Sequence, residues 1–260
     1  MIKALCVTML FMIAVSCGGG PDRSNSSQPS KTPTPSTPAN TEVKPPQPDQ
    51  TKQPETVGRR LEREETVRFG PDGLQAGWKL VDPDAPAPSK MSFVDEKLVL
   101  TIPSGKDLFG ENRTAPRVLT AIAGDFQIET RVEFDPKEDY QGAGLIIFQD
   151  DENYVRLERA FGGTGGGESG IRMDVRTPTE YKPLSTPGDV PTSAGEVDLK
   201  IIRKGNVITA FWRLNEEAEW KEAGAYEAAL SDSLLVGLIG CNTASEIKAG
   251  FSYIKFGPLR

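Results

Sequence analysis

Short alternations of apolar and polar residues fill most of the 260-residue chain beyond its first quarter. Gly, Pro, Asn and Asp separate these runs, as turns separate strands. The alternation has a period of two, which is typical of β-strands with one buried face, and no convincing helical period occurs. The clearest runs are residues 125–134, 153–161, 170–176, 197–203 and 207–214. We predict an all-β domain, a two-sheet antiparallel β-sandwich or barrel.

Three local features refine this prediction. Residues 143–148 are apolar at every position, which indicates a strand in the middle of a sheet with both faces covered. Lys204, Gly205 and Asn206 form a turn signal between two strand runs, so a hairpin is expected there. Residues 250–256 alternate up to the end of the chain, and we predict that they pair with a first strand near residues 66–69.

The N-terminal segment has the layout of an export signal. Lys3 precedes an apolar run at residues 4–15, which is shorter than the roughly 20 residues of a membrane-spanning helix. The four residues ending in Cys17 resemble the bacterial lipobox, although Ala14 replaces the usual leucine. The resemblance implies that residues 1–16 are removed as a signal peptide and that Cys17 is lipidated. An ordinary secretory signal cut nearby is the alternative.

The same resemblance implies a location. Gly18, rather than Asp, follows the cysteine, so the protein is expected in the cell envelope, lipid-anchored and extracytoplasmic. In a diderm host this means the outer membrane. The N-terminal lipid is then the only expected membrane contact.

A linker is expected between the anchor and the domain. Residues 17–63 are rich in Pro, Ser, Thr, Gln and Lys and nearly lack large apolar side chains, so they cannot bury enough surface to fold. Their Pro-rich steps favour extended geometry, at about 3.1 Å per residue. We therefore divide the chain into a signal (1–16), a disordered linker (17–63) and a folded domain (64–260).

Composition excludes several kinds of chemistry. The chain has no histidine, which excludes His-based triads, His-ligated zinc and imidazole general bases. The net charge is −7, which argues against nucleic acid and other anionic polymers as partners. Cys241 is the only cysteine expected in the folded domain, and its apolar surroundings favour core packing over a reactive thiol.

Three ordered blocks resemble a known family. They read NRTAPR at residues 112–117, GDFQIETRVEF at 124–134 and GAGLIIFQDDENYVRLER at 142–159. These blocks resemble the concanavalin A-like jelly-roll domains at the C-terminus of family 43 β-xylosidases, in an uncharacterised bacterial branch. The likeness covers residues 66–260 and implies a connection with glycans. It also implies a non-catalytic domain, because the chemistry of those xylosidases resides in a separate propeller domain.

The leading hypothesis is therefore carbohydrate binding by a polar face of the sandwich. Planar Arg and carboxylate groups hydrogen-bond sugar hydroxyls, and aromatic rings stack on sugar rings. The candidate ligand-binding residues, expected together if their strands are neighbours, are Gln149, Tyr154, Arg156, Glu158, Arg172 and Asp174. Trp78, Trp212 and Trp220 are further candidates, with core or rim packing as the alternative. A protein-interaction or structural envelope module is the rival function.

A glycosidase is the less favoured reading. Two carboxylates suffice for glycoside hydrolysis, and Glu129, Glu133, Glu158 and Asp174 lie in predicted strands. The Glu-x-Asp-x-x-Glu motif of concanavalin A-like glycosidases is absent, and each carboxylate has an Arg nearby. We expect solvated cross-strand ion pairs of less than about 1 kcal/mol each. Arginines already bound to Glu158 and Asp174 would exclude catalysis by this pair.

Two loops carry weaker signals. Residues 150–153 read DDEN at a predicted hairpin, which indicates a plain turn or, alternatively, oxygen ligands for a structural calcium. Residues 162–167 are glycine-rich but lack the Gly-Lys-Ser/Thr ending of a phosphate loop. We expect a flexible hairpin loop there.

Overall fold

Strands form all the regular secondary structure in the described part of the computed structural model, residues 57–162, 169–184 and 194–259. The predicted signal peptide, Cys17, most of the linker and residues 163–167 of the glycine-rich loop lie outside the described residues. The strands are β1 (Arg59–Arg60), β2 (Glu65–Arg68), β3 (Lys79–Val81), β4 (Lys90–Val94), β5 (Lys97–Ile102), β6 (Leu108–Phe109), β7 (Asn112–Arg113), β8 (Arg117–Ala123), β9 (Phe126–Glu133), β10 (Gly142–Asp150), β11 (Asn153–Phe161), β12 (Ser169–Thr177), β13 (Glu180–Pro183), β14 (Glu196–Lys204), β15 (Val207–Arg213), β16 (Lys221–Glu227), β17 (Ser233–Cys241) and β18 (Ile247–Pro258).

Two large sheets make the predicted sandwich. The first sheet has the order β1-β8-β17-β10-β11-β12-β13, with β3 also on β8. The second has the order β16-β15-β14-β9-β18-β5-β4, with β2 also on β18. The β1–β8 pair is parallel, and the other pairs in both sheets are antiparallel.

The period-two runs mark their strands closely. The runs at 125–134, 153–161 and 170–176 become β9, β11 and β12, and the hairpin around Gly205 joins β14 to β15. The predicted pairing of the two ends is also confirmed, because Tyr253 lies opposite Arg68 and Lys255 opposite Thr66. Residues distant in sequence thus become neighbours on the outer face of the second sheet.

The main core lies between the sheets. Phe126, Ile128 and Val132 of β9 are fully buried there, as their alternation predicts. Full burial of such a side chain stabilises the fold by about 1.5–3 kcal/mol. Trp78 and Trp212 also belong to this core.

A second apolar cluster covers the outer face of the first sheet. It contains Ile146 and Phe148 of β10, together with Ile239 and Cys241 of β17. This cluster explains why residues 143–148 are apolar on both faces, and it confirms the predicted burial of Cys241.

Residues 103–116, here called the covering segment, lie over this outer face. The segment contains the β6–β7 hairpin, and its Leu108 is fully buried in the second cluster. Two backbone hydrogen bonds of 2.8 and 2.7 Å join Lys106 and Asn242. The buried ammonium of Lys106 lies 3.2 Å from Asp82 and 3.1 Å from Asp84. The outer face of the first sheet is therefore closed by a firmly attached segment.

Residues before Glu64, the predicted start of the domain, also contact the sandwich. β1 pairs with Ile122 and Ala123, and the Gly58 amide donates a 2.6 Å hydrogen bond to Ser233 Oγ. A Cβ on Gly58 would lie 2.5 Å from the Ile122 carbonyl carbon, so the approach requires glycine. In the described ranges, no helix is long and apolar enough to cross a membrane.

Candidate functional site

The structure brings four of the six candidate binding residues together. Arg156 lies directly opposite Asp174, and Glu158 lies directly opposite Arg172, on the adjacent strands β11 and β12. Their side chains project from the outer face of the first sheet, because the alternating Val155, Leu157, Met173 and Val175 fill the main core.

These four residues form what we call the buried charge network. Arg156 Nη2 lies 2.9 Å from Asp174 Oδ2, and Arg172 Nη2 lies 2.8 Å from Glu158 Oε2. Two diagonal contacts connect the pairs, because Arg156 Nε lies 3.5 Å from Glu158 Oε2 and Arg172 Nε lies 3.2 Å from Asp174 Oδ2. Each carboxylate is therefore bound by both arginines through a single oxygen.

The network is hidden from solvent. The four side chains are at most 3 % exposed, so the expectation of solvated cross-strand pairs is wrong for Glu158 and Asp174. The physical reason is the covering segment, whose Asp107 approaches Arg156 Nη1 to 3.5 Å. Charged residues in a strand usually face water, and here a distant stretch of chain replaces that water.

The electrostatics follow from this burial. Burial is the strongest influence on Glu158 and by itself raises the pKa, but Arg156 and Arg172 together outweigh it. The pKa of Glu158 therefore lies below its ordinary value of 4.5. Burial also raises the pKa of the Cys241 thiol well above its ordinary value, which favours the packing role over a reactive one.

The other two candidates lie apart from this network. Tyr154 is 1 % exposed, and its hydroxyl donates to the Leu108 carbonyl of the covering segment. Gln149 is half-buried at the end of β10, and its Oε1 accepts from the Ser231 amide at 2.9 Å. Of the six candidates, only Gln149 has appreciable contact with solvent.

This geometry differs from that of a glycosidase site. Glu158 and Asp174 are bound by the same two arginines. The sequence analysis set such arginine binding as the condition that excludes catalysis by this pair. Their free oxygens, Glu158 Oε1 and Asp174 Oδ1, are buried without a hydrogen-bond partner in the described ranges. Neither carboxyl group opens on a cleft where a water molecule and a glycosidic bond could meet.

The side chains of the acidic turn at residues 150–153 contact other groups of the protein. Asp150 Oδ1 accepts from the Glu152 amide at 2.9 Å and from Asn153 Nδ2 at 2.8 Å. Glu152 is held by Arg113 and Arg176. The described residues contain no group of three or more His, Cys, Asp or Glu side chains suited to a metal ion. Contacts within the protein thus account for this turn.

An open groove lies on the opposite side of the molecule, on the outer face of the second sheet. Its volume is about 430 Å³. All of its lining side chains are polar. Strands β2, β9 and β18 supply five of them, and the other two come from the end of β15 and the loop that follows it. The lining residues are Thr66, Arg68, Glu129, Arg213, Glu216, Tyr253 and Lys255.

Strand register assembles this groove. Across one row, Thr66, Lys255 and Glu129 lie opposite one another on β2, β18 and β9. In the adjacent row, Arg68 lies opposite Tyr253. Val67 between them points into the main core, so the alternation of β2 directs the polar pair outward.

The floor of the groove is held in place by hydrogen bonds. The Tyr253 hydroxyl donates to Glu129 Oε1 at 2.9 Å, and Arg213 Nη2 lies 3.5 Å from the same oxygen. Arg213 Nε also donates to the fully buried Asp198 at 2.8 Å. Burial is the main reason why the pKa of the Tyr253 hydroxyl is raised, so this group remains a hydrogen-bond donor at neutral pH.

Trp220 lies beside the groove. Its ring centre is 4.4 Å from Arg213 Cζ and 3.9 Å from Lys200 Nζ. Trp220 is half-buried, whereas Trp78 is 9 % exposed and Trp212 is 4 % exposed. Of the three tryptophans suggested by the sequence, Trp220 alone sits at an accessible polar surface.

The sequence analysis named Glu129 as a candidate glycosidase carboxylate but missed its neighbours in this groove. Arg68, Tyr253 and Lys255 meet because β2 pairs with β18, and a pairing of these two segments was predicted. Applying the same register to the outward positions would have identified four of the groove's seven lining residues, Thr66, Arg68, Tyr253 and Lys255.

Comparisons with known proteins agree with the fold. The model of the family described as "Protein of unknown function (DUF1349)" matches residues 86–259. No curated protein matches the sequence of this chain.

Solved structures show the same architecture at low sequence identity. The GH43 protein BlXynB of Bacillus licheniformis is 18 % identical with a TM-score of 0.62, over 75 % of this chain and 39 % of that one. The xylan β-1,4-xylosidase of Bacillus halodurans C-125 is 19 % identical with a TM-score of 0.60, over 79 % and 41 %. A functionally unknown protein of Saccharomyces cerevisiae is 15 % identical with a TM-score of 0.52, over 70 % and 94 %.

The fold implied by the sequence blocks is thereby confirmed. The chain has the concanavalin A-like β-sandwich that forms the C-terminal domain of GH43 xylosidases. It spans about two fifths of the length of the two Bacillus proteins. The likeness concerns architecture and carries no activity with it.

Proposed function

We propose that this chain, which belongs to the DUF1349 family, is a membrane-anchored extracytoplasmic lipoprotein whose β-sandwich binds carbohydrate without cleaving it. The observation that carries the proposal is the open groove on the second sheet. Its volume of about 430 Å³ falls within the range of small-molecule sites, roughly 300–1,000 Å³.

The chemistry of the groove suits a sugar. Glu129 offers a carboxylate fixed by Tyr253 and Arg213, and charge-assisted hydrogen bonds of this kind are stronger than neutral ones. Thr66 adds a hydroxyl that both donates and accepts. Because the Glu129 carboxylate is held in place before binding, a ligand does not have to order it.

The candidate residues of the first sheet take a different role in this proposal. Arg156, Glu158, Arg172 and Asp174 bind one another beneath the covering segment. We assign this network, with Tyr154, to holding the covering segment in place. Ligand binding is thereby assigned to the groove rather than to the six residues that the sequence favoured.

Two observations support a role without catalysis. The carboxylates of Glu158 and Asp174 are both bound by arginine, and that of Glu129 by Tyr253 and Arg213. The likeness to GH43 proteins covers about two fifths of their chains.

The rival role, a protein-interaction or structural envelope module, has less support. The exposed large apolar side chains of the described residues belong to different loops and strands. They are Val57, Val94, Phe109, Tyr140, Val207 and Leu214. Isolated side chains of this kind are normal on a protein surface.

The anchor part of the proposal rests on the sequence. Cys17 carries the lipid, and the Pro-rich linker holds the domain away from the membrane. A linker of this length reaches from roughly 40 Å as a coil to over 100 Å when extended. Such a reach suits a domain that samples polysaccharide around its own membrane.

Binding to a glycan and insoluble-polysaccharide panel tests the function. The mature full-length protein is used in detergent, with and without calcium. Tyr253→Phe, which frees Glu129, should weaken binding about tenfold, in line with loss of one charged hydrogen bond. Tyr154→Phe is the matched control on the first sheet and should leave the affinity unchanged.

The two variants separate the possible sites. Loss of binding in Tyr154→Phe with retention in Tyr253→Phe would move the ligand to the first sheet. No binding by folded protein, with or without calcium, would favour a protein partner in the cell envelope.

A further inference from the structure

We infer that the groove selects an acidic sugar, with the carboxylate of a uronic acid bound at Arg68. This inference rests on the proposed function, since it names the class of carbohydrate that the groove takes. It departs from the expectation, based on net charge, that anionic polymers are unsuitable partners.

The charges that line the groove differ in sign from the charge of the whole chain. Arg68, Arg213 and Lys255 supply three cations, whereas Glu129 and Glu216 supply two carboxylates. The whole chain carries −7. Charges more than about 8 Å apart are largely screened at physiological salt, so the local arrangement determines which ligand group is attracted.

Arg68 is the cation available to a ligand. It is exposed at the end of β2, opposite Tyr253, and its side chain has no ion-pair or hydrogen-bond partner among the described residues. Arg213, by contrast, forms an ion pair with Asp198. Lys255 lies 3.0 Å from Glu64, whose side chain is 57 % exposed.

The carboxylates in the groove leave this cation free. Glu129 accepts from Tyr253 and approaches Arg213. Glu216 is 71 % exposed and lies 3.6 Å from Arg131. The positive charge of Arg68 is therefore not neutralised by either acid that lines the groove.

Lys200 lies within the electrostatic influence of the groove's cations and of its carboxylate Glu129. Burial is the main cause of its lowered pKa, and the neighbouring Arg213 and Lys255 lower it further, while Glu129 acts in the opposite direction. Lys200 lies directly opposite Glu129 on the next strand. Arg213 and Lys255 are thus near enough to this side chain to act on its charge.

A uronate matches the two ends of the groove. Its planar carboxylate can accept two parallel hydrogen bonds from the Arg68 guanidinium. Its hydroxyls can then donate to Glu129 and exchange hydrogen bonds with Thr66. A neutral sugar satisfies the Glu129 end but leaves Arg68 without a partner.

The test compares an acid with its own ester. Oligogalacturonate and its methyl ester, matched in chain length, are titrated by calorimetry into the mature full-length protein at about 50 and 200 mM NaCl. We expect the acid to bind at least tenfold more tightly than the ester at the lower salt concentration. This ratio should decrease at the higher one, because screening weakens exposed charge pairs.

Variants assign the selectivity to Arg68. Arg68→Gln should reduce the acid-to-ester ratio to below threefold, chiefly by weakening the binding of the acid. Arg68→Lys keeps the charge but loses the planar fork, and should retain part of the ratio. Arg60→Gln is the matched control, because Arg60 pairs with the exposed Asp232 away from the groove.

The outcomes distinguish this inference from the proposed function. Equal affinity for acid and ester in the wild type, or a full ratio in Arg68→Gln, overturns the uronate inference and leaves carbohydrate binding intact. Absence of binding to both probes and to every neutral glycan of the panel overturns both. Thermal unfolding of each variant verifies that the exposed substitutions leave the fold unchanged.

Discussion

Glu158 Oε2 accepts a 2.8 Å hydrogen bond from Arg172 Nη2, between residues directly opposite each other on adjacent strands and with neither side chain more than 3 % exposed. A cross-strand ion pair on a sheet surface usually contributes little, because water screens it. This pair is shielded from water, and removal of one partner would leave the other as an uncompensated buried charge.

The first prediction concerns the loss of stability when one partner of this buried pair is removed. Glu158→Gln should lower the free energy of unfolding by about 3–5 kcal/mol, the cost of breaking a buried ion pair from one side. Glu180→Gln is the matched control, because Glu180 is exposed on the neighbouring β13. Urea unfolding followed by tryptophan fluorescence measures both. A loss below about 1 kcal/mol in Glu158→Gln would mean that the network is hydrated.

The second prediction concerns pH. The pKa of Glu158 is lower in the folded protein than its ordinary value of 4.5. The ionised carboxylate therefore contributes its full share of the free energy of unfolding above about pH 4.5. The contribution is lost as the pH falls through the lower, folded pKa. The stability difference between wild type and Glu158→Gln should therefore narrow below pH 4.5. A difference that stays constant from pH 7 to pH 3 would contradict the lowered pKa.

The third prediction concerns the space that glycine leaves for the network. A Cβ on Gly142 would lie 2.6 Å from Arg172 Nη2 and 2.9 Å from Glu158 Oε1. Gly142→Ala should therefore displace the pair and destabilise the domain by at least the roughly 1–3 kcal/mol typical of overpacking.

Gly250 provides the matched control for this substitution. It also lies in a strand, but the nearest atom to its added Cβ would be 3.6 Å away, in Glu133. Gly250→Ala should change the stability by less than about 1 kcal/mol. Equal effects of the two substitutions in thermal unfolding would show that the close approach at Gly142 is unimportant.

The sequence predicted where the strands lie more reliably than it predicted which side chains are exposed. The bounds of β11 agree with the prediction because Val155 and Leu157 alternate with polar residues and point into the main core. The same alternation placed Arg156 and Glu158 in water, which is wrong. Periodicity identifies two faces but cannot show what covers the second one.

A signal for the hidden face was nevertheless present. Residues 143–148 are apolar on both faces, which requires a cover over the outer side of the first sheet. Arg156 and Glu158 lie on the adjacent strand, beside that same cover. Extending the argument across one strand would have predicted their burial, whereas residues 103–116 show no pattern that identifies them as the cover.

The fourth prediction concerns the anchor. Cys17→Ser removes the thiol that the lipobox resemblance assigns to lipidation, so the protein should no longer incorporate labelled palmitate. It should also retain residues 1–16, because the lipobox resemblance ties removal of the signal peptide to Cys17. Cys241→Ser is the control and should leave labelling unchanged, because Cys241 is buried in the domain. Undiminished labelling of Cys17→Ser would favour another anchor.

The fifth prediction uses Trp220 as a reporter of the groove. Arg213 contacts both the Trp220 ring and the groove's Glu129, so a bound ligand should alter the environment of the indole. We expect saturating ligand to change the fluorescence and to reduce quenching by acrylamide. Trp78 and Trp212 are buried and should contribute a constant background.

Trp220→Phe should abolish this ligand-dependent change while the buried tryptophans continue to emit. Because a phenylalanine can still stack on Arg213 and Lys200, binding measured by calorimetry should persist in the variant. A full fluorescence change in Trp220→Phe would mean that the ligand acts near Trp78 or Trp212, and therefore that it binds outside the groove. Loss of both the signal and the binding would instead make Trp220 a contact residue for the sugar.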